Sequence, residues 1–188
     1  MRETKDSDER RQEFVDAAEK LFRENGIVDT TVNNIVKELN VAKGLFYYYF
    51  KSKDDVIDAI SAKYAEAFNE SMRKSMSTPD WSMRINQFTE NCVLSFTELN
   101  KRLKGDSEGV DLSQLTMLSI EEARIASSRT LQNLLEEGNS NGMISVDNPE
   151  YYAELIVGGI SYLVARGNTD TEEIKTIVRN LIKKIGEE

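Results

Sequence analysis

Histidine is absent from all 188 residues, which removes Ser-His and Cys-His hydrolytic pairs, imidazole metal sites and a histidine pH switch. Cysteine occurs once, at Cys92, so neither an intramolecular disulfide nor a thiolate metal cluster is possible. Cys92 sits on an apolar helical stripe, where it reads as a small buried hydrophobe before it reads as a sensor thiol. Only two prolines, Pro79 and Pro149, interrupt the chain, leaving long segments free to be helical. No apolar run is long enough to span a bilayer. The start, M-R-E-T-K-D-S-D-E-R, lacks the apolar centre of a signal peptide, and the expectation is a cytoplasmic protein with no membrane contact. The acidic pairs Asp54-Asp55, Glu121-Glu122, Glu136-Glu137 and Glu172-Glu173 are explained as helix-start charges and solvated faces. The expectation is therefore no enzyme, no catalytic residue, no metal and no cofactor.

What is present is a soluble composition, 39% hydrophobic and 30% charged, enough for one good core or two small ones. The net charge of −9 opposes nucleic-acid binding at first sight. Screening limits each charge to roughly 8–10 Å at physiological salt, however, so local balance decides. Between Thr31 and Lys53 stand Lys37, Lys43, Lys51 and Lys53 against Glu38 alone, a local +3 inside an acidic chain. Such polarisation disfavours indiscriminate coating of DNA.

Periodicity predicts helices throughout. Phe14, Val15, Ala18, Leu21 and Phe22 share one face, and Asn25-Gly26 stops that helix. Thr30 or Thr31 caps a two-turn helix through Val32, Ile35, Val36 and Leu39. Asn40-Val41-Ala42 turns into a third helix, Lys43 to about Tyr49, and Ser52-Lys53-Asp54-Asp55 has the form of a capping box opening a long fourth. Thr78-Pro79 predicts a restart as cap and first helical residue. The next helix carries Ile85, Phe88, Cys92, Phe96, Leu99 and Leu103. Residues 105–109 read as a flexible loop, and a helical stretch from Leu112 ends near Gly138, before a second loop at 139–142. Asn148-Pro149 repeats the cap-and-proline start, and Ile174, Ile177, Val178, Leu181, Ile182 and Ile185 line a final helix. The expectation is an all-α chain of about nine helices, with a boundary that separates residues 1–52 from 53–188.

The stretch Val41 to Lys53, V-A-K-G-L-F-Y-Y-Y-F-K-S-K, is the most telling. Successive helix positions point about 100° apart, so Tyr47, Tyr48 and Tyr49 cannot all face inward. Three short helices, the second and third joined by a tight turn, have the layout of a helix-turn-helix DNA reader. In that geometry Ala42, Lys43, Gly44 and Leu45, then Tyr47 and Tyr48, meet the bases; lysine donates to guanine, and Ala42 and Leu45 meet thymine methyls. Tyr49 and Lys53 grip flanking phosphates, Thr31 and Asn33 at the start of the second helix complete the DNA-facing set, and Phe46 and Phe50 enter the core.

Residues 8–60 resemble the DNA-binding head of the TetR family of bacterial transcription regulators. The residues that carry this are L-F-R-E-N-G and then T-T-V-N-N-I-V-K-E-L-N-V-A-K-G-L-F-Y-Y-Y-F-K-S-K-D-D-V-I. N-G-M-I-S-V-D-N-P-E before an apolar helix resembles the family's approach to its dimerisation pair. Ala42 departs from the family's usual capping serine, Leu45 from a small or polar residue, and Tyr49 from a frequent histidine. The resemblance implies a helix-turn-helix domain followed by a ligand-binding and dimerisation domain. It also implies a homodimeric repressor released from a palindromic double-stranded operator by a small-molecule inducer.

The resemblance further implies a small-molecule pocket among the central helices, with Tyr64, Phe68, Phe88, Cys92, Phe96, Met117 and Leu118 as its candidate lining, a set that reads equally as plain core; its low charge suggests an apolar or aromatic inducer. The implied dimer face draws on Leu155, Gly158, Gly159, Tyr162, Ile174, Val178 and Leu181. Gly158-Gly159 serves either local packing or close approach across that interface. The alternatives are a regulator of the same kind answering to a protein partner or to no ligand, and a helical enzyme or architectural protein.

Overall fold

The computed structural model of the chain describes residues 7–73, 78–106 and 109–185, without the side chains of Arg73 and Ile185. Among them are eight helices and no strand: α1 (Ser7–Asn25), α2 (Val32–Glu38), α3 (Lys43–Tyr49), α4 (Lys53–Arg73), α5 (Trp81–Arg102), α6 (Ser113–Ser140), α7 (Pro149–Ala165) and α8 (Thr171–Ile185). The chain is all-α as expected, with one helix fewer than about nine. Neither glycine nor proline interrupts α6 between Ser113 and Gly138, and it runs as a single rod. The charged first six residues, Ser107-Glu108 of the expected loop, and the side chain of Ile185 in the last stripe lie outside the described residues.

Helix ends follow local chemistry. Gly26 closes α1 at φ +86°, a left-handed conformation, and donates its N–H to Phe22 O at 2.8 Å. Of the two threonines, Thr31 caps α2: Asn34 N donates to its Oγ1 at 3.3 Å, and Thr31 N donates to Asn34 Oδ1 at 2.9 Å. Thr30 is buried and donates to Leu21 O and Gly26 O instead. At α4 the cap half of the expected box forms, Asp55 N donating to Ser52 Oγ at 3.2 Å, and the Asp55 carboxylate accepts from Lys51 N at 2.7 Å, one residue before the cap. Two starts differ from expectation. Asp80 Oδ1 accepts from Met83 N at 2.7 Å, so α5 begins at Trp81 rather than Pro79. Pro149 does open α7, but the Asn148 side chain makes no capping bond. The α6 helix also outlasts Gly138, taking Asn139 and Ser140 with it.

The chain divides into two compact units. The first comprises the chain up to Lys63 together with Arg102–Ser119, so the unit that holds the head extends beyond residue 52. Its centre is aromatic: Phe14 meets Phe46 edge-on at 5.8 Å and Phe50 at 6.3 Å, and all three are buried. Burying each such ring contributes about 1.5–3 kcal/mol. The α5–α6 connection docks on α1 and the α1–α2 loop. Arg23 pairs with Asp106 at 2.6 Å, Asp106 N donates to Arg23 O at 2.9 Å, and Ile27 N donates to Asp111 O at 3.1 Å.

The second unit comprises Tyr64–Lys101 and the chain from Ile120 onward. Trp81 Nε1 donates to Leu134 O at 2.7 Å, and the ring occupies space that a Cβ on Gly138 would invade at 2.7 Å. Arg84 forms a two-pronged pair with Glu137. Ile174, Val178 and Ile182, at i, i+4 and i+8 on α8, are buried. The Asn139 amide accepts from Val146 N and donates to Val146 O, pinning the loop before α7.

Candidate nucleic-acid interface

Helix α3 makes about two turns and buries one residue of its own, Phe46. Phe46 is fully buried, whereas Lys43 and Gly44 are exposed and Tyr47 and Tyr48 are 51% and 75% exposed. The turn before it is tight. Asn40 takes φ 51°, a conformation asparagine tolerates better than most residues, and Val41 N donates to Val36 O at 3.0 Å. Ala42 provides no side-chain cap, leaving the first amides of α3 without that partner. A Cβ on Gly44 would meet nothing within 4 Å, so the outer surface is open there.

The expected DNA-facing residues separate into three kinds. Thr31, Asn33, Ala42, Lys43, Gly44, Tyr47 and Tyr48 are exposed. Lys43 Nζ lies 5.9 Å from the Tyr47 ring centre, and Tyr48 stacks edge-on against Tyr49 at 4.8 Å. Leu45 and Tyr49 are half-buried, with the Tyr49 ring 5.9 Å from Phe14. Lys53 is half-buried and already employed, donating Nζ to Ile27 O at 2.6 Å and Thr30 O at 3.0 Å. Two of its three donors therefore tie the α1–α2 loop to the start of α4, and one is left for a phosphate.

Sequence reasoning missed that tether, because nothing in the spacing of Ile27, Thr30 and Lys53 marks carbonyls converging on an ammonium. It also missed Lys20, whose Nζ lies 2.7 Å from Glu38 Oε1. Hydrogen bonding to Glu38 raises the Lys20 pKa, and the one acid between Thr31 and Lys53 is thereby offset by a cation from α1.

The second group of expected residues is placed less uniformly. Tyr64, Phe68, Phe88, Cys92 and Phe96 are all buried in the second unit, with the Phe68 and Phe96 rings 4.9 Å apart. Burial pushes the Cys92 thiol far above its ordinary pKa, which suits an inert core position. Met117 and Leu118 fall in the first unit, Met117 being 67% exposed and Leu118 half-buried.

Of the expected dimer residues, Leu155, Gly159 and Tyr162 lie exposed on α7 with Tyr151, at i, i+4, i+8 and i+11 of one face. Gly158 is half-buried, and a Cβ there would come 3.3 Å from Arg124 Nη2, which is packing within the chain. On α8, Leu181 is exposed, but Ile174 and Val178 are turned into the core; Ile177 takes the outward position instead. A stripe with apolar residues at every third or fourth place on two faces does not say which face is inside.

Among the described residues no group of three or more side chains is placed to hold a metal ion, and no helix is long and apolar enough to cross a membrane.

Comparison with known proteins bears on this geometry. Residues 14–60 match the family model described as bacterial regulatory proteins, tetR family. The HTH-type transcriptional regulator HbdR of Aromatoleum sp. (strain CIB) is 46% identical over 50 residues, covering 27% of this chain and 22% of that protein. An HTH-type transcriptional regulator of Staphylococcus aureus (strain USA300) is 29% identical over 99 residues, 53% of this chain and 54% of the relative. The matched stretches thus span between a fifth and about half of these relatives. In fold, the chain is similar to the fatty acid degradation regulator FadR from Bacillus halodurans, with a TM-score of 0.66 at 20% identity over 95% of this chain and 97% of that one.

Proposed function

Because the chain belongs to the tetR family of bacterial regulatory proteins, we propose that it is a cytoplasmic, non-enzymatic repressor that binds a palindromic operator as a homodimer and is released by a small-molecule inducer. The observation that carries the DNA-binding part is the split of α3, with Phe46 in the core while Lys43, Gly44, Tyr47 and Tyr48 stand outside. Lys43 to Tyr48 face the bases, with half-buried Leu45 contributing its edge, and Tyr49, Lys53, Thr31 and Asn33 hold the flanking backbone. Two heads engage major grooves about 34–36 Å apart.

The exposed apolar face of α7, Leu155, Gly159 and Tyr162, joined by Leu181 of α8, supports pairing with a second copy. Tyr64, Phe68, Phe88, Cys92 and Phe96 are the proposed inducer surroundings, supported by their aromatic, uncharged character. A ligand entering there parts the Phe68 and Phe96 rings, and coupling of about 1–3 kcal/mol to the head is typical of such transitions. The closed contact of those rings favours a second reading, in which the regulator answers to a protein partner or to no ligand.

The test is binding of the full chain to the promoter DNA beside its own gene, measured at several salt concentrations. The expected log–log slope is about −0.9 per phosphate contact. Tyr49→Ala and Lys53→Ala should weaken all operators alike, and Lys43→Ala should change base preference. If all three bind as the parent does, the helix-turn-helix assignment fails.

A further inference from the structure

The second unit contains a cleft of about 380 Å³, within the range of small-molecule sites, roughly 300–1,000 Å³. Trp81 and Ile85 of α5 and Ile182 of α8 form buried walls, and Ile144 comes from the loop between α6 and α7. The rim carries Arg179 and Lys183, one turn apart on α8 and both exposed. The walls are rigidly set. Trp81 is held by its bond to Leu134 O and by the space that Gly138 leaves it, and Asn139 pins the loop through Val146.

The charges at the rim do not match the rest of the chain. In a protein of net charge −9, two cations stand side by side over an apolar cleft. Arg179 meets a neutral amide there: Nε and Nη2 each donate to Asn86 Oδ1 at 3.2 Å. That contact orients the guanidinium without neutralising it and leaves Nη1 for an incoming group. Helical geometry puts Arg179 and Lys183 about 200° around α8 from Ile177 and Leu181. The cleft therefore stays open when the exposed stripe of α7 and α8 is covered by a second copy.

We propose that this cleft binds an amphipathic monoanion, a single carboxylate on a compact aromatic or short aliphatic body. The body lies against Trp81, Ile85 and Ile182, and the carboxylate is held by Arg179, with the charge of Lys183 one turn away adding to the attraction. The site is separate from the Phe68–Phe96 cluster and goes beyond the DNA-binding reading.

Trp81 is the only tryptophan in the chain, so tryptophan emission, excited at the red edge where the seven tyrosines do not absorb, reports on this wall alone. The full chain is titrated with octanoate and 3-phenylpropionate, and in parallel with octylammonium and octanol. A saturable emission change with the carboxylates, and none with octylammonium, is expected. Arg179→Gln combined with Lys183→Gln should weaken carboxylate binding roughly tenfold. Met143→Glu, at a half-exposed rim position, should weaken it as well, with melting temperatures unchanged in both variants. The proposal is overturned by an absent or unsaturable response to both carboxylates. Equal responses to octylammonium, or a double variant that binds like the parent, overturn it too. No DNA enters the measurement, so failure of operator binding leaves this result standing, and the reverse holds.

Discussion

Helices α3 and α7 both expose large side chains, and they differ in the charge of their surroundings. Tyr47 and Tyr48 on α3 belong to a stretch that carries Lys37, Lys43 and Lys51, with Lys43 Nζ 5.9 Å from the Tyr47 ring centre and Glu38 offset by Lys20. Leu155 and Tyr162 on α7 stand beside Glu150, Glu154 and Arg166, a mixed and mildly acidic neighbourhood. An exposed aromatic ringed by cations suits a phosphate polymer, whereas an exposed aliphatic stripe without a cationic surplus suits another protein surface. Exposure alone does not separate the two cases. Local charge does.

The strongest way to break this contrast is to exchange inside for outside on α3. Phe46→Ala should cost about 3–5 kcal/mol, seen as a large drop in melting temperature and loss of DNA binding together. Tyr48→Ala should leave melting nearly unchanged and weaken DNA binding only. Equal thermal losses in both would mean that Tyr48 is not the outward residue.

On α7 and α8 the corresponding pair is Ile174→Ala and Leu155→Glu. The first should destabilise the fold by about 2–5 kcal/mol, because Ile174 is buried within the chain. The second should leave the fold intact and shift light scattering from dimer to monomer. A dimer that persists in Leu155→Glu removes α7 from the interface.

A smaller effect is expected at Lys53. Replacement by methionine leaves Ile27 O and Thr30 O without their charged donor, at a cost of about 1–3 kcal/mol. Hydrogen–deuterium exchange should show the loss first around Ile27–Thr31, and slow exchange there would argue against the tether.

The smallest effect concerns Glu137, whose carboxyl is held below its usual range by hydrogen bonding to Arg84. A depressed folded pKa adds stability above the ordinary carboxylate value, about 4.3, that disappears as pH falls through the depressed one. The melting-temperature gap between the parent and Glu137→Gln should therefore be present at neutral pH and close in acid. A gap that does not vary with pH would assign it to packing.

How far the sequence could be read depended on how one-sided each helix is. For α1 to α4, apolar residues occupy one face, and punctuation at Gly26, Thr31 and Ser52 sets the ends, so core and surface were legible together. Of the ten expected DNA-facing positions, Leu45 and Tyr49 prove half-buried, and Lys53 is half-buried with its ammonium on carbonyls. Those differences depend on contacts across 23 residues and more, to which local spacing is blind. For α7 and α8 the stripes are too broad to give a direction, and Ile174 and Val178, expected on the dimer face, are buried within the chain. Composition groups Met117 with the aromatics, but it lies exposed on α6.

Sequence alone determined that this chain is all-helical and that Val41–Lys53 carries a short amphipathic helix with lysines beside exposed tyrosines. Both follow from 3.6-residue periodicity and capping chemistry, which act within a few residues. Only the tertiary structure decided which aliphatics of α8 stay outside. It alone tied Lys53 to the α1–α2 loop, and it alone gathered Trp81, Ile85, Ile182, Arg179 and Lys183 around one cleft. Those outcomes depend on which faces meet when distant segments pack, and helical periodicity carries no record of that choice.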